Sequence, residues 1–275
     1  MTNLLPVDLL KGKAVFITGG GSGVNLGIAR SFARVGANLA ICGRTAEKLE
    51  KAAEDLRALG AKVSTSVADV RDMAALEVAF AKSKEEIGPA DVVVCGAAGN
   101  FVAPAEGISS NGFKSVMDID LLGSFHSSKA GFEQLKETRG ALLFVSAGQA
   151  YLPFAFQAHV GAAKAGVESL MKNLALEWGR FGIRSNSVVP GPVEDTEGLR
   201  RLSAAAAGAG GADAWTKMVP LGRYAKQEEI GNMAVVLCSP LGAYVTGATV
   251  VVDGGWGLGG SAMFNQATAA ALSKA

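Results

Sequence analysis

The chain has 275 residues, 49% of them hydrophobic and 19% charged, with a formal net charge of +1. That length suits one large α/β domain or two small ones, and that much apolar material builds a sizeable core and excludes disorder. With no basic block and almost no net charge, composition gives no support for binding nucleic acid or an anionic membrane. Apolar runs rich in Val, Ile and Ala predict strands at 14–17, 38–42, 61–67, 91–95, 141–145, 185–189 and 249–252. Their lack of polar alternation fits strands buried on both faces of a parallel sheet. Amphipathic stretches lie between them. Residues 46–60 turn Leu49, Leu56 and Leu59 to one side, space Glu47–Lys51 and Lys51–Asp55 as helix pairs, and stop at Gly60. Repeated β-α units predict right-handed crossovers and one α/β domain over residues 1–275. Its expected form is a Rossmann-type doubly wound parallel sheet of about seven strands flanked by helices. The glycine-rich 203–214 stretch predicts a mobile substrate lid over 193–218, and 256–275 reads as a C-terminal tail.

Cys42, Cys95 and Cys238 are unpatterned and lie in or beside apolar runs, which predicts buried thiols and neither a disulfide nor a metal site. Residues 1–15 lack a secretory pattern, no apolar run approaches a membrane span, and the ending Ser273-Lys274-Ala275 lacks the terminal Leu of a peroxisomal address. A cytoplasmic protein is expected.

After the first strand, Thr18-Gly19-Gly20-Gly21-Ser22-Gly23-Val24-Asn25-Leu26-Gly27 opens a helix. A glycine-rich strand-to-helix turn brings the backbone close to a pyrophosphate and points N–H groups at it, so this loop predicts a dinucleotide site. The second strand ends Cys42-Gly43-Arg44-Thr45. An acid that would hold a ribose diol is missing there, and a guanidinium suited to a 2′-phosphate follows. NADP(H) is therefore the expected cofactor; the alternative makes Arg44 a solvated loop residue.

This loop resembles the TGxxxGxG pattern of the short-chain dehydrogenase/reductase family through Thr18, Gly19 and Gly23, with Asn25 in the third glycine position. Either Asn25 holds the helix farther from the pyrophosphate or it adds a polar contact. Asp69-Val70 resembles the family's pair beside the adenine, and Cys95-Gly96-Ala97-Ala98-Gly99 stands at its NNAG turn. Pro190-Gly191-Pro192-Val193-Glu194-Asp195-Thr196 resembles the segment that holds the nicotinamide amide, and Asp253-Gly254-Gly255 the closing turn. The resemblance implies cofactor contacts from Gly19, Gly21, Ser22, Gly23, Asn25, Leu26, Arg44, Asp69, Val70, Ala97, Ala98, Gly99, Lys164, Pro190, Gly191, Val193 and Thr196.

The family's usual centre is Asn, Ser, Tyr and Lys. Here Lys164 is present, Asp120 stands at the Asn position, Ala147 at the Ser position with Ser146 just before it, and Val160 at the Tyr position. Valine donates no proton. Asp120 and Lys164 are the groups able to orient a water as donor, with Ser146 and Tyr151 as further catalytic candidates. His159 adjoins the vacancy, but one helical step turns it by about 100°, so a substrate-rim or packing role is expected. His126 reads as structural or interfacial.

One subgroup, the peroxisomal-type 2,4-dienoyl-CoA reductases, is similar to this chain through residues 97–101, 116–120, 159–168 and 190–202. That resemblance implies NADPH-dependent reduction of a conjugated acyl thioester, an Asp120–Lys164 pair working with a bound water, and Asn100, Phe101 and His159 on the substrate side. Arg200 or Arg201 either meets CoA phosphates or is a surface charge. Reduction of a 3-oxoacyl thioester or small ketone is the rival activity, and a non-catalytic NADP-binding or scaffold protein the rival class. The likeness also implies a homotetramer packed through the helices around 109–137 and 157–180.

Overall fold

Along the strands, side chains of similar apolarity alternate between two covered faces. In β1 (Ala14–Thr18), Val15 and Ile17 join one core and Phe16 the other. A computed structural model of the protein describes residues 4–196, 199–200 and 216–261. The remaining strands are β2 (Asn38–Gly43), β3 (Val63–Val67), β4 (Ala90–Cys95), β5 (Ala141–Val145), β6 (Arg184–Pro190) and β7 (Thr249–Val252). They form one sheet ordered β3-β2-β1-β4-β5-β6-β7, with every pairing parallel.

Helices α1 (Gly23–Arg34), α2 (Ala46–Ala58) and α7 (Gln227–Cys238) cover one face, through Ile28, Phe32, Leu49, Leu56 and Ile230. Helices α3 (Met73–Ile87), α5 (Gly123–Thr138) and α6 (Ala158–Trp178) cover the other, through Leu76, Phe80, Leu135, Val167 and Met171. Short α4 (Ser110–Val116) leads into α5 through a π-helical turn, Met117–Leu122. Gly27, which does not restore the phosphate-loop spacing, serves the crossing of α1 and α7. A Cβ there would come 2.5 Å from the Cβ of Gln227.

The predicted strand at 61–67 begins two residues late, because Gly60, at φ +91°, turns the chain and Ala61 and Lys62 complete that turn. Leu59 does not share the buried face of Leu49 and Leu56. It is the C-cap of α2 and is 38% exposed, because the helical rotation ends at Ala58. Asp55 pairs with Arg30 at 2.6 Å and not with Lys51, since α1 brings a cation within reach across the layer.

The chain leaves β1 toward β2 on one side and returns to β4 on the other. The crevice beyond the carboxyl ends of β1 and β4 is thus the point where open α/β sheets bind ligands. The expected lid lies largely in 197–198 and 201–215, and most of the expected tail in 262–275, outside the described residues. Of the lid, Val193 is buried and bridges Ala225. Of the tail, Trp256 packs on Phe154 with ring centroids 5.2 Å apart.

Candidate active site

Thr18 closes β1 against β4. Its hydroxyl donates to Val94 O at 3.3 Å and accepts from the N–H groups of Gly96 at 3.1 Å and Ala97 at 3.4 Å. The two glycine turns consequently approach to backbone distance. Gly19 takes φ +69°, and a Cβ on it would lie 3.0 Å from Ala97 Cα. Asn25 resolves its alternatives in favour of the polar contact. Its Nδ2 donates to Gly96 O at 2.7 Å and Gly19 O at 3.3 Å, bracing one turn to the other. Gly96 supplies the room, because a Cβ there would meet Asn25 Cγ at 2.6 Å.

The cleft over these turns is lined by Gly19, Gly21, Ser22, Asn25, Arg44, Asp69, Val70, Ala97 and Ala98 from the expected set. Sequence reasoning missed Thr45, Lys48, Gly96 and Ile119, which share it. Arg44, in the bend after β2, and Lys48, in the first turn of α2, both line the cleft and bring two cations to it. The hydrogen bonds from Arg71 lower the pKa of Asp69 from its ordinary value, with Arg44 adding its field. The start of α1 fits an anion: Ser22 makes no side-chain cap there and the first turn carries no acid, so its N–H groups point into the cleft uncompensated. A dinucleotide therefore suits these residues.

Other expected contacts lie outside that lining. Leu26 packs against the core. Gly191 is pressed on Asp253, whose carboxylate accepts from Gly255 N at 2.8 Å and Gly257 N at 2.7 Å. Pro190 ends β6 beside Val252. The Thr196 hydroxyl is used locally, donating to Val193 O at 2.9 Å and accepting from Leu199 N at 3.2 Å. Gly23 opens α1 at φ +58°, off the cleft lining.

The reactive centre joins two elements. The π-helical turn carries Asp120 inward to 1% exposure, a local geometry common at functional sites. Its Oδ1 accepts from Gly99 N at 2.6 Å, and its Oδ2 lies 3.2 Å from Lys164 Nζ, as an ion pair without hydrogen-bond alignment. Lys164, also buried, donates to Val145 O at 3.0 Å. Asp120, Lys164 and Gly99 thus meet in one place. Val160 faces a small cluster with Val116, Ala163 and Met117.

Ser146 is buried with its hydroxyl unpartnered. Tyr151 stands apart at 47% exposure, its phenol beside Gly257, with no described bond to Asp120 or Lys164. Burial, Asp253 and Glu168 all raise its pKa, so it is protonated at neutral pH. His159 is fully buried beneath the Asn100–Phe101 loop, which favours the packing role of its two alternatives over the rim. Its ring packs against Phe101 at a tilt of 31°, with centroids 4.1 Å apart. Burial lowers its pKa against the opposing pull of the Phe101 backbone and Asp120, so the imidazole is neutral. His126 is structural, its Nδ1 lying 3.0 Å from Val70 O. Of the two arginines considered for CoA, Arg201 lies outside the described residues.

Two buried residues escaped the sequence reading. Glu168, one turn after Lys164, accepts from Ser187 Oγ at 3.0 Å and from Thr249 Oγ1, tying α6 to β6 and β7. Gln157, at 2% exposure, donates to Asn100 Oδ1 at 3.0 Å and Phe101 O at 3.4 Å. A family model described as enoyl-(acyl carrier protein) reductase matches residues 19–257. The chain belongs to the short-chain dehydrogenase/reductase family.

It is an oxidoreductase of that family. Among curated relatives, the (3E)-enoyl-CoA-producing peroxisomal 2,4-dienoyl-CoA reductase of Saccharomyces cerevisiae is 44% identical, over 92% of this chain and 87% of that protein. The probable (2E)-enoyl-CoA-producing 2,4-dienoyl-CoA reductase of Bacillus subtilis is 37% identical, over 88% and 96%. Among solved structures, a gluconate 5-dehydrogenase from Burkholderia cenocepacia, in complex with NADP and tartrate, matches with TM-score 0.83 at 29% identity, over 91% of this chain and 97% of that one. The family's fold and its nicotinamide cofactor apply here. No helix among the described residues is long and apolar enough to cross a membrane.

Proposed function

We propose that the protein is an NADPH-dependent reductase of 2,4-dienoyl-CoA or a related conjugated acyl thioester. The observation that carries this reading is the buried Asp120–Lys164 pair, with Val160 at the position where a carbonyl reductase of this family keeps its acid. A ketone needs a proton on its oxygen, and Val160 has none to give. A conjugated thioester needs a proton on carbon, at a place a relayed water reaches.

The two glycine turns would hold NADP(H), with Arg44, Thr45 and Lys48 available to its 2′-phosphate, and the bound cofactor would supply a hydride for the far carbon of the diene. Charge then spreads along the conjugated chain to the thioester oxygen, where the Asn100 amide donates a hydrogen bond. Phe101 covers the acyl chain on the same side. The Lys164 ammonium orients a water and passes a proton through it to the α-carbon, and Asp120, locked by Gly99 N, aligns that ammonium. One hydride and one proton are consumed, and the remaining double bond moves to C3–C4. The (3E)-enoyl-CoA product in the yeast relative's name supports that outcome.

We expect a homotetramer packed through α5 and α6, on which Phe125 and Leu176 are exposed; light scattering of the purified protein tests this. The activity is tested by NADPH oxidation with hexadienoyl-CoA, crotonyl-CoA and acetoacetyl-CoA side by side. Preference for hexadienoyl-CoA is expected. Preference for acetoacetyl-CoA overturns the reading in favour of 3-oxoacyl reduction. Tight NADPH binding without turnover of any of them overturns it in favour of a binding protein.

A further inference from the structure

The loop that carries Asn100 and Phe101 leans on the start of α6. Ala103 N donates to Phe156 O at 3.1 Å, and Phe156 itself takes φ +67°, a left-handed conformation that a bulky residue adopts only when its surroundings enforce it. That turn brings Gln157 inside. Gln157 accepts from Gln149 Nε2 at 3.1 Å and donates to Asn100 Oδ1 at 3.0 Å and Phe101 O at 3.4 Å.

Three amides in a row are ordinarily ambiguous, because each can flip and exchange donor for acceptor. A backbone carbonyl removes the ambiguity here. Phe101 O only accepts, so the N–H2 of Gln157 must face the loop. Its Oε1 then faces Gln149, and the Asn100 group next to that N–H2 must be the oxygen. The orientation of Asn100 thus follows from a fixed group at the far side of Gln157.

We propose that Gln157 is a positioning residue for the reduction. It fixes the carboxamide oxygen of Asn100 inward, so that the opposite, N–H2 edge is the one a substrate's acyl oxygen meets. The inference rests on the reading of the protein as a reductase of acyl thioesters. Gln149 extends the device by holding the other end of Gln157. In a site of low dielectric this setting matters: an oxygen turned toward a developing oxyanion repels it, whereas an N–H2 stabilises it.

Gln157→Glu tests this with almost no change of shape. A carboxylate has no proton for Phe101 O or Asn100 Oδ1, so Asn100 must turn its N–H2 toward residue 157 and present its oxygen to the substrate. With the full-length protein, NADPH and hexadienoyl-CoA, kcat is expected to fall by about 100- to 1,000-fold, the order set by losing one oxyanion donor. The Kd for NADPH is expected to hold. The deciding measurement is a double-mutant cycle with Asn100→Ala. In that background Gln157→Glu is expected to cost less than about twofold, because its effect passes through Asn100. Losses that multiply, or a weakened NADPH affinity that accounts for the loss, overturn the proposal. Should Gln157→Glu fail to fold, Gln157→Met enters the same cycle with the same expectation. If the unmodified protein reduces acetoacetyl-CoA and not hexadienoyl-CoA, the dienoyl reading fails, and the same cycle on acetoacetyl-CoA decides on Gln157 separately. No turnover of either thioester overturns both.

Discussion

Replacing Gly96 by Ala places a methyl group where Asn25 already stands. The new Cβ would lie 2.6 Å from Asn25 Cγ and 2.7 Å from Nδ2, against ordinary contact distances of about 3.5–4.0 Å. Gly96 lies outside the left-handed region, so the backbone accepts Ala and the cost is steric. Asn25 escapes only by giving up its hydrogen bonds to Gly96 O and Gly19 O. Overpacking costs about 1–3 kcal/mol, and each lost bond about 0.5–1.5 kcal/mol. The strain falls between the two turns that form the cradle, so a large part of it appears as weaker NADPH binding, about 10- to 100-fold in Kd at 1.4 kcal/mol per decade. Adding Asn25→Gly empties the contested space and recovers most of the affinity. Titration of NADPH fluorescence on the wild type, the two single variants and the pair measures this directly. Unchanged affinity in Gly96→Ala, or no recovery in the pair, refutes the reasoning.

Asp120→Asn leaves the Lys164 ammonium buried beside a neutral amide, with an expected loss of about 3–5 kcal/mol in stability and at least about 100-fold in kcat; full retained activity removes Asp120 from the mechanism. Arg44→Ala is expected to weaken NADPH by about 10- to 100-fold while leaving NADH unchanged, since only the 2′-phosphate distinguishes them; an unaltered ratio in paired titrations places the selectivity elsewhere. Burial pushes the Cys42, Cys95 and Cys238 thiols from 9.0 up to about 12. The native protein is therefore expected to resist iodoacetamide at pH 8 and to react fully in denaturant. Because these folded-state values lie above the unfolded ones, the stability tied to them is complete below about pH 9 and is lost as pH rises toward 12. Thermal melts across that window check the direction.

Strand runs such as 38–42 and 141–145 were legible because burial on both faces leaves an unbroken apolar signature, and they sit within observed strands. Ends were less legible. The limit of β3 and the exposure of Leu59 depend on where a turn releases the chain, which composition does not encode. In the site, the pairing of Asp120 with Lys164 followed from the family resemblance, whereas the bond from Gly99 N to Asp120 did not. The inward turn of Asp120 depends on a π-helical insertion that no periodicity in 110–138 announces. Asn25 read as a departure from a pattern, and only its contact with Gly96 explains it. For His159 the sequence left rim and packing roles open, since it does not say that Phe101 folds over it. Gln157 left no signal at all, because a glutamine's value here comes from partners 57 and 8 positions away.

The central claim is that the Asp120–Lys164 pair serves carbon protonation along a conjugated thioester. Its most direct test is the site of label incorporation when hexadienoyl-CoA is reduced with NADPH in deuterium oxide. One solvent deuteron is expected at the α-carbon of a 3-enoyl product. Solvent deuterium absent from the α-carbon, or turnover confined to acetoacetyl-CoA, would contradict it.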